Sequence, residues 1–564
     1  MRFGRFMRRG RVMTGVRTST RTRLRRALLA PAYNTSPRLA PDGGAVAFVR
    51  NTDEGPELWL RTADGDERRL AAHPGETVAD LRWTTDGTML IYRHGPVGGA
   101  RWSLAGLRPT VARSGGGVGA VRCETPGSVT EYWLSRHDPT TAVYSCRRPG
   151  SSGLELFRLT LTDPPDSDSG ADPGPGSGPG VGGSGGEPVS VAGDQGFRQW
   201  FVDPVLRPRG GIRAGGDGSV EIVLGDRLES AREVLRIGAR EADDLSVQGF
   251  SADGRRLFLL TSYDAKTRRL ISIGSTSGAT MTVFAHPTLD VDGYPIAGDG
   301  VWFEPSTGLP DICAVTDQRL RYHALNPARQ QAVERLTATD AGSAVLVDRS
   351  ADDRTWLVGR VRDDGPVAYH VFEPATGRSE PLFLDRPDLA GYQLPKLEDF
   401  IFVAGDGREL TGYAMRPVYH RLPLPTVVVV HDGPADRDSW RFHTEAQYLA
   451  SLGYLSLHIN HRGSRGFGVE FRRAGNNGYG GRMQQDLYDA VAHGVRSGLV
   501  DRDRVAFLGT SYGGHAALLA AYTRSDLVRC AVAISDRLGH VQIPTADRVV
   551  LFEEIERFLA DRLG

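Results

Sequence analysis

The stretch Val505-Ala-Phe-Leu-Gly-Thr-Ser-Tyr-Gly-Gly-His515 joins an apolar run to a run of small residues, with Ser511 between them. Its first four residues are typical of a buried strand, and the alanine-rich residues after Gly513 predict a helix. Gly509 and Gly513 stand two residues before and two residues after Ser511. A serine at a sharp turn from strand to helix needs small residues at both places, because the backbone leaves no room for Cβ atoms. The stretch therefore predicts a nucleophile elbow, with Ser511 as the nucleophile.

Strands and helices alternate on both sides of this elbow, throughout residues 395–564. Apolar runs predict strands and helical spacing predicts helices, in the order strand 426–430, strand 454–459, helix 483–495, the elbow, strand 530–534 and helix 549–559. A continuous apolar run such as the four consecutive valines at 427–430 is typical of a strand covered on both faces. The order predicts a doubly wound parallel sheet, which is the frame of an α/β-hydrolase domain.

A different pattern occupies residues 34–390, where short strands are separated by turns. One unit recurs, in which Asp-Gly precedes a β-rich run, at residues 39–48, 83–92 and 250–259 and in degraded form at 348–357. Asp-Gly suits a tight hairpin turn in which both central residues adopt positive φ. The first two copies start 44 residues apart, a spacing that fits one four-stranded blade. The repetition favours a β-propeller over its alternative, a β-sandwich made of ordinary hairpins.

Two segments lack the apolar residues that a core needs. Residues 163–188 consist mostly of Gly, Pro, Ser and Asp and predict a disordered insertion within the propeller. Residues 1–33 begin with an arginine-rich run and predict a disordered tail. No apolar stretch follows Arg8-Arg9, as a twin-arginine export signal would require, so an upstream start codon ahead of Met13 is the other interpretation.

Composition excludes several classes of function. Lys plus Arg and Asp plus Glu each number 68, so no nucleic-acid partner is expected. No run approaches the roughly 18 apolar residues of a membrane span, and we expect a cytoplasmic protein. The cysteines at 123, 146, 313 and 530 show no metal-ligand spacing, so no metal or cofactor is expected. Free buried thiols are favoured over a disulfide between the first two.

A serine nucleophile needs a base for its proton and donors for the oxyanion. The backbone N–H of Tyr512 is one donor that the elbow provides. The second is expected after an earlier strand, where His431-Asp432-Gly433-Pro434 follows the valine run.

At this point the chain resembles the prolyl oligopeptidase family of serine peptidases, close to its acylaminoacyl-peptidase and dipeptidyl-peptidase branches. The resemblance covers the chain from about Ser36 onward. It rests on the order of the two domains, on His431-Asp-Gly-Pro434, on Asn460-His-Arg-Gly-Ser-Arg-Gly-Phe-Gly468 and on Gly509-Thr-Ser-Tyr-Gly-Gly-His515. It implies that Ser511 is the nucleophile, that His431 and Tyr512 border the oxyanion hole, and that the propeller admits only short or unfolded peptides. Asp432 departs from the family, which usually has glycine there.

A larger departure lies downstream. Asp536-Arg-Leu-Gly-His540 is similar to the family's terminal segment, which makes His540 the candidate base. Only 28 residues separate Ser511 from His540, where the family has two more strands and the loop with the triad acid. An internal deletion after Ser535 explains this junction, and the triad acid is unknown. Asp486 and Asp489 are interpreted as anchors of their helix.

Three functions are compatible with these residues. The first is a serine peptidase that cleaves short peptides through an acyl-enzyme at Ser511. The second is an inactive or impaired homologue that lacks the segment with the triad acid and retains at most peptide binding. The third is an esterase of small acyl esters, which needs the elbow but does not explain the propeller.

Overall fold

The computed structural model describes residues 20–99, 101–109, 119–123, 125–161, 188–338, 342–418, 420–534 and 545–564. These residues form a seven-bladed β-propeller followed by an α/β-hydrolase domain, as the sequence predicts. The insertion predicted at 163–188 lies outside the described residues except for Pro188.

Each blade is an antiparallel sheet of consecutive strands. Blade 6 has three described strands, and every other blade has four. The propeller strands are β1 Asn34–Leu39, β2 Ala45–Thr52, β3 Gly55–Thr62 and β4 Glu67–Ala72 in blade 1; β5 Glu76–Trp83, β6 Leu90–Pro96, β7 Ser103–Arg108 and β8 Gly119–Cys123 in blade 2; β9 Ser128–Leu134, β10 Thr141–Arg147, β11 Glu155–Thr160 and β12 Val189–Ala192 in blade 3; β13 Phe197–Val202, β14 Pro208–Ala214, β15 Val220–Leu224 and β16 Arg232–Ile237 in blade 4; β17 Ser246–Phe250, β18 Arg256–Thr261, β19 Arg269–Gly274 and β20 Thr280–Phe284 in blade 5; β21 Val301–Phe303, β22 Pro310–Thr316 and β23 Leu320–Ala324 in blade 6; and β24 Ser343–Arg349, β25 Trp356–Val361, β26 Ala368–Phe372 and β27 Ser379–Leu384 in blade 7. Helix α2 Pro327–Thr337 and three short 3-10 helices, Leu228–Ser230, Ala242–Asp244 and Pro387–Leu389, connect or flank these blades.

The recurring Asp-Gly unit connects the first two strands of blades 1, 2 and 5, and its degraded copy does so in blade 7. Only the glycine of each pair adopts a positive φ, as at Gly43 with φ 76°. The expectation that both central residues do so is therefore wrong. In blade 7 the same conformation is adopted by Asp353, with φ 57°.

The ring closes between blade 7 and blade 1 without exchange of a strand. The backbone N–H of Leu39 donates to the carboxylate of Asp348 (3.0 Å), and the N–H of Tyr33 donates to the carbonyl of Asp385 (2.6 Å). An apolar cluster of Leu39, Val46 and Leu357 lies across the same seam. Hydrogen bonds and apolar packing therefore close the ring.

The prediction of a disordered tail at residues 1–33 is wrong for helix α1 Thr20–Leu29. Leu28 and Leu29 of this helix are buried, and Leu29 packs with Tyr448 and Phe552 of the hydrolase domain. Arg25 donates to the carboxylate of Glu556 at 2.7 and 2.9 Å. The apolar residues of the segment lie on one helical face, and the arginines on the other faces hid that pattern in the sequence.

The hydrolase domain consists of one six-stranded sheet and the helices that cover it. Its elements are β28 Leu397–Val403, β29 Glu409–Met415, β30 Leu424–Val430, α3 Thr444–Leu452, β31 Leu455–Asn460, α4 Gly468–Arg473, α5 Arg482–Arg496, β32 Val500–Thr510, α6 Tyr512–Thr523, β33 Cys530–Ile534 and, as the helix here named α7, Thr545–Leu563. The strand order is β28-β29-β31-β30-β32-β33, with parallel pairing from β31 through β33.

Helices cover both faces of this sheet. Val428 of β30 packs in a core with residues of α5 and α6, whereas the adjacent Val427 packs with residues of α3 and α7. Successive side chains of a strand point to opposite faces, so the valine run supplies both cores. The predicted doubly wound sheet is confirmed. In the described residues its last strand is β33, which pairs with β32.

Loops of the propeller and of the hydrolase domain are joined by buried hydrogen bonds. The Asp290 carboxylate accepts from the N–H of Gly466 at 2.9 Å, and Arg437 donates to the carbonyl oxygens of Thr316 (3.0 Å) and Asp317 (2.9 Å). These contacts hold the propeller over the carboxyl edge of the parallel strands.

Candidate active site

Ser511 is at the turn between β32 and α6, where the sequence predicts the elbow. Its φ of 51° and ψ of −116° form a conformation that L-residues seldom adopt, at a cost of about 1–3 kcal/mol. The Ser511 N–H donates to the carbonyl of Ile534 (3.1 Å), and its own carbonyl accepts from the N–H of His515 (3.0 Å). The neighbouring strand and the new helix therefore hold the strained serine on both sides.

The two elbow glycines are required by their surroundings. A Cβ atom on Gly513 would lie 2.1 Å from the carbonyl oxygen of Val430, and one on Gly509 would lie 2.3 Å from the backbone carbon of Gly513. Both distances are shorter than any real Cβ contact, and both involve backbone atoms. The spacing of glycines around Ser511 thus follows from the close approach of β30, β32 and α6.

His431 follows β30 and lies beside the elbow, because Val430 pairs with Gly509 in the parallel register. Its Nε2 is 2.9 Å from the Ser464 hydroxyl oxygen, and its Nδ1 is 2.8 Å from the carbonyl oxygen of Asp432. Both ring nitrogens are engaged in this way, so the ring is fixed in position. The geometry suits a positioning role beside Ser511 better than the role of its base.

Asp432 lies in the segment 431–434, which is expected from the sequence to supply the second oxyanion donor. Its carboxylate accepts from the N–H of Gly433 at 2.6 Å, and Gly433 has φ 120°. The Tyr512 N–H is at the first position of α6, where backbone N–H groups lack partners within the helix. Tyr512 thus begins α6, and the oxyanion roles of Tyr512 and His431 stay predictions.

Three aromatic rings, those of His431, His461 and Tyr512, pack against one another next to the elbow. The His461 ring stacks on His431 with centroids 4.5 Å apart and is 5.5 Å from the ring of Tyr512. Burial and the neighbouring His431 lower the pKa of His461 to about 3, so this imidazole is neutral at physiological pH. His461 thus packs between His431 and Tyr512 as a structural residue.

The candidate carboxylates of α5 have structural partners. Asp486 is fully buried and accepts from the backbone N–H of Arg462 (2.9 Å) and from its Nη2 (2.6 Å). Burial raises the pKa of Asp486, against the opposing effect of the Arg462 guanidinium. Asp489 accepts from the N–H of Gly405 at 2.7 Å. Both residues anchor α5, as the sequence suggested.

The remaining candidates have mixed outcomes. His540 lies outside the described residues, so its role as the base stays a prediction. The side chain of His515, near the start of α6, is exposed. Cys146, Cys313 and Cys530 are free and buried, as favoured from the sequence, and the side chain of Cys123 lies outside the described residues.

Gly509 and Thr510 of the elbow line a cavity of about 1360 Å³ between the two domains. The hydrolase side contributes residues 429–432 and 508–510, Ile534 and residues 548–553 of α7, and the propeller contributes residues 51–56 and Glu76. Ligands of open α/β sheets bind at the carboxyl ends of the strands. The cavity therefore lies where a substrate of Ser511 would bind.

A propeller that covers the carboxyl edge of an α/β-hydrolase sheet, with a serine elbow at that edge, defines a class of two-domain hydrolase folds. Residues 440–538, which include Ser511, match the model of the prolyl oligopeptidase family. The matched segment lies within the part of the chain that contains the hydrolase domain.

Similar proteins include enzymes and solved structures of the same class. The dipeptidyl aminopeptidase BIII of Pseudoxanthomonas mexicana is 31% identical over 344 residues, which are 57% of this chain and 49% of that enzyme. The chain thus spans about half the length of this relative, and less of the others. A puromycin-hydrolyzing peptidase of Mycobacterium tuberculosis aligns with 17% identity, a TM-score of 0.60 and coverage of 95% of this chain and 84% of that one. The acylaminoacyl peptidase of Pyrococcus horikoshii aligns with 15% identity, a TM-score of 0.57 and coverage of 89% and 76%. These two structures share the fold.

None of the helices in the described ranges has the length and apolar character needed to cross a membrane.

Proposed function

We propose that the chain is a serine peptidase that cleaves short peptides through an acyl-enzyme at Ser511. One observation carries this proposal: Ser511 is held in a strained elbow beside the cavity beneath the propeller, which Gly509 and Thr510 line. The family match, with relatives that are named peptidases, supports the same reaction class.

In the proposed reaction the Ser511 hydroxyl attacks the peptide carbonyl while His540 takes its proton. The Tyr512 N–H donates to the oxyanion that forms. His540 then gives the proton to the leaving amine, and the acyl group remains on Ser511 as an ester. Water, deprotonated by His540, attacks this ester and releases the acid together with the free serine.

The cavity favours peptides that carry a positive charge. Among the described residues, eight carboxylate side chains and four guanidinium groups line it, so carboxylates are in excess there. Such a lining suits the ammonium group of a peptide's amino terminus. The propeller leaves a bounded volume, which favours short chains over folded proteins. The relative named a dipeptidyl aminopeptidase is in line with this preference.

A second candidate is an impaired homologue that retains at most peptide binding. It is favoured by the sheet, whose last strand in the described ranges is β33, and by Asp486 and Asp489, which are held by other partners. A triad that lacks its acid loses a factor of about 10⁴ in rate, because the histidine adopts the wrong tautomer.

Fluorophosphonate labelling of the purified full chain tests both candidates. The peptidase proposal expects an adduct that mass spectrometry locates on Ser511, which disappears in Ser511→Ala and persists in Ser497→Ala, a control at an exposed serine of the same domain. A folded protein without an adduct would reject the peptidase and favour the impaired homologue. With an adduct, hydrolysis of small acyl esters but not of aminoacyl or peptidyl substrates would indicate the esterase.

We also propose a cytoplasmic location, supported by the three free buried thiols, because a reducing compartment keeps cysteines unpaired. Recovery of the native protein in the membrane or extracellular fraction of its source cells would contradict this.

A further inference from the structure

A buried cluster of one carboxylate and two imidazoles lies in the hydrolase domain beside the elbow. Asp438 is on the loop after β30, His443 precedes α3, and His458 is on β31. Their exposed fractions are 7%, 6% and 1%. All three line the cavity between the two domains, and the reaction proposed above uses none of them.

The geometry of this cluster approaches that of a metal site. One ligand atom of each residue lies within 4.8 Å of the others. The Nδ1 of His458 and the Oδ1 of Asp438 are 3.6 Å apart, which is too long for a hydrogen bond. Ligands at about 2.0–2.1 Å from a tetrahedral Zn²⁺ are separated by roughly 3.3 Å. Small side-chain movements therefore suffice to bring the ligands to one ion.

Several polar atoms of the cluster have no hydrogen-bond partner. Both ring nitrogens of His458 and the Oδ2 of Asp438 are buried and have no hydrogen-bond partner. Buried polar atoms almost always have partners, and exceptions require an explanation such as an ion. A bound cation would satisfy a lone pair on each of these side chains at once.

The surroundings orient the ligands as metal sites require. The Nε2 of His443 donates to the carbonyl of Ser439 at 2.7 Å, and in that tautomer the Nδ1 carries a lone pair. Metal-bound histidines usually donate their other N–H to such an acceptor. The Asn460 side chain accepts from the Asp438 N–H (2.7 Å) and donates to the Asp438 carbonyl (3.1 Å). The loop that carries Asp438 is thereby fixed to the end of β31.

A second His/Glu cluster in blade 2 provides a contrast. There the carboxylate of Glu76 contacts the Nδ1 of His73 at 2.8 Å and the Nδ1 of His94 at 3.0 Å. The Nε2 of His73 is 3.1 Å from the hydroxyl of Tyr92. These side chains satisfy one another and leave no comparable set of unpaired atoms.

We propose that Asp438, His443 and His458 together bind one divalent transition-metal ion of the Zn²⁺ type. Two imidazoles and one carboxylate form a ligand set that suits Zn²⁺ and Co²⁺ better than Mg²⁺ or Ca²⁺. The ion connects the loop after β30, which begins at His431, to α3 and β31. Sequence spacing does not reveal this site because its ligands lie on three separate elements.

Metal content provides the test. The full chain is stripped with a chelator, incubated with ZnCl₂ or CoCl₂, desalted and analysed by mass spectrometry for bound metal. We expect about one equivalent for the wild type and for His94→Gln, the control in blade 2. We expect at least a tenfold lower content for His458→Gln and for Asp438→Asn.

Two further measurements keep the test decisive if a variant does not fold. Wild-type protein is expected to show a Zn²⁺-dependent rise in melting temperature that Mg²⁺ does not reproduce. Bound Co²⁺ is expected to show visible absorption that is absent from His443→Ala. A wild type with less than 0.1 equivalent of metal would overturn the proposal. So would metal that is lost from His94→Gln and retained by His458→Gln.

Discussion

At the scale of single residues, the elbow depends on the absence of two Cβ atoms. Gly513 lies against the backbone of β30, and its carbonyl carbon in turn lies against Gly509. The nearest atoms are backbone atoms, which cannot rotate away as the end of a side chain can. The strain at Ser511 is therefore maintained by packing on both sides of the turn.

We predict that Gly513→Ala displaces α6 from β30, because its Cβ would lie 2.1 Å from the carbonyl oxygen of Val430. We expect the free energy of unfolding to fall by about 1–3 kcal/mol and labelling of Ser511 to be lost. Chemical denaturation and fluorophosphonate labelling measure the two effects. Gly481→Ala is the control, since the nearest atom to its Cβ is 3.6 Å away. Wild-type labelling in Gly513→Ala would contradict the packing argument.

A buried ion pair connects the loop after β31 to α5. Removal of the Asp486 charge leaves the Arg462 guanidinium with Asp406, which is 2.8 Å from its Nη1, as its remaining carboxylate. We predict that Asp486→Ala lowers the free energy of unfolding by about 3–5 kcal/mol. Thermal denaturation followed by circular dichroism measures the loss. Asp489→Ala, on the same helix but partly exposed, should cost under about 1 kcal/mol, and equal losses would contradict the assignment.

At the scale of elements, helix α1 forms within the segment for which the arginine-rich sequence predicts a disordered tail. Leu28 lies in a cluster with Leu389 and Phe442, which joins the helix to the segment between the two domains. The helix also contacts α3 and α7. It therefore acts as a brace between the domains.

We predict that Leu28→Ala lowers the free energy of unfolding by about 2–5 kcal/mol, because the fully buried side chain leaves a cavity. Urea denaturation measures this change, and limited proteolysis should show earlier cleavage near the domain junction. Arg23→Ala, at an exposed position of the same helix, should leave both properties unchanged. A Leu28→Ala variant as stable as the wild type would mean that α1 does not brace the domains.

The sequence predicted those features of the fold for which a short pattern of residues corresponds to one local structure, such as a tight turn. The glycines around Ser511 and the Asp-Gly turns of blades 1, 2 and 5 are of this kind. The blade number was not predictable, because blade 4 places Leu206 at the positive-φ position of its turn, with φ 64°, and so lacks the glycine mark. The cluster of Asp438, His443 and His458 was missed because it depends on the packing of distant elements.

At the scale of the whole molecule, the propeller is closed by a seam that contains two partly buried carboxyl groups. Asp348 accepts from the N–H of Leu39, and Asp385 accepts from the N–H of Val367 at 2.7 Å. Burial raises the pKa of Asp348. Burial raises the pKa of Asp385 to about 6, although Arg386 and the hydrogen bond from Val367 act in the opposite direction. The seam thus contains carboxyl groups that bind protons more tightly in the folded chain.

The sign of the pH effect follows from this difference. Between the ordinary pKa of an aspartate, about 4, and about 6, the folded chain holds a proton on Asp385 that the unfolded chain has lost. Stability falls with rising pH wherever the native state binds more protons than the unfolded state. Asp385 therefore destabilises the fold progressively from about pH 4 to pH 6, and by a constant amount above pH 6.

We predict that Asp385→Asn, whose amide oxygen still accepts from the N–H of Val367, stabilises the chain by about 1 kcal/mol at pH 7.5. This gain in the free energy of unfolding is smaller than the full pKa shift of Asp385 would give, because Asn loses the attraction to Arg386 and the site is partly exposed. At pH 4.5 the gain should vanish. The midpoint of urea unfolding at the two pH values measures the effect, with the exposed Asp388→Asn as control. A variant that is destabilised equally at both pH values would show that the seam needs the charged carboxylate.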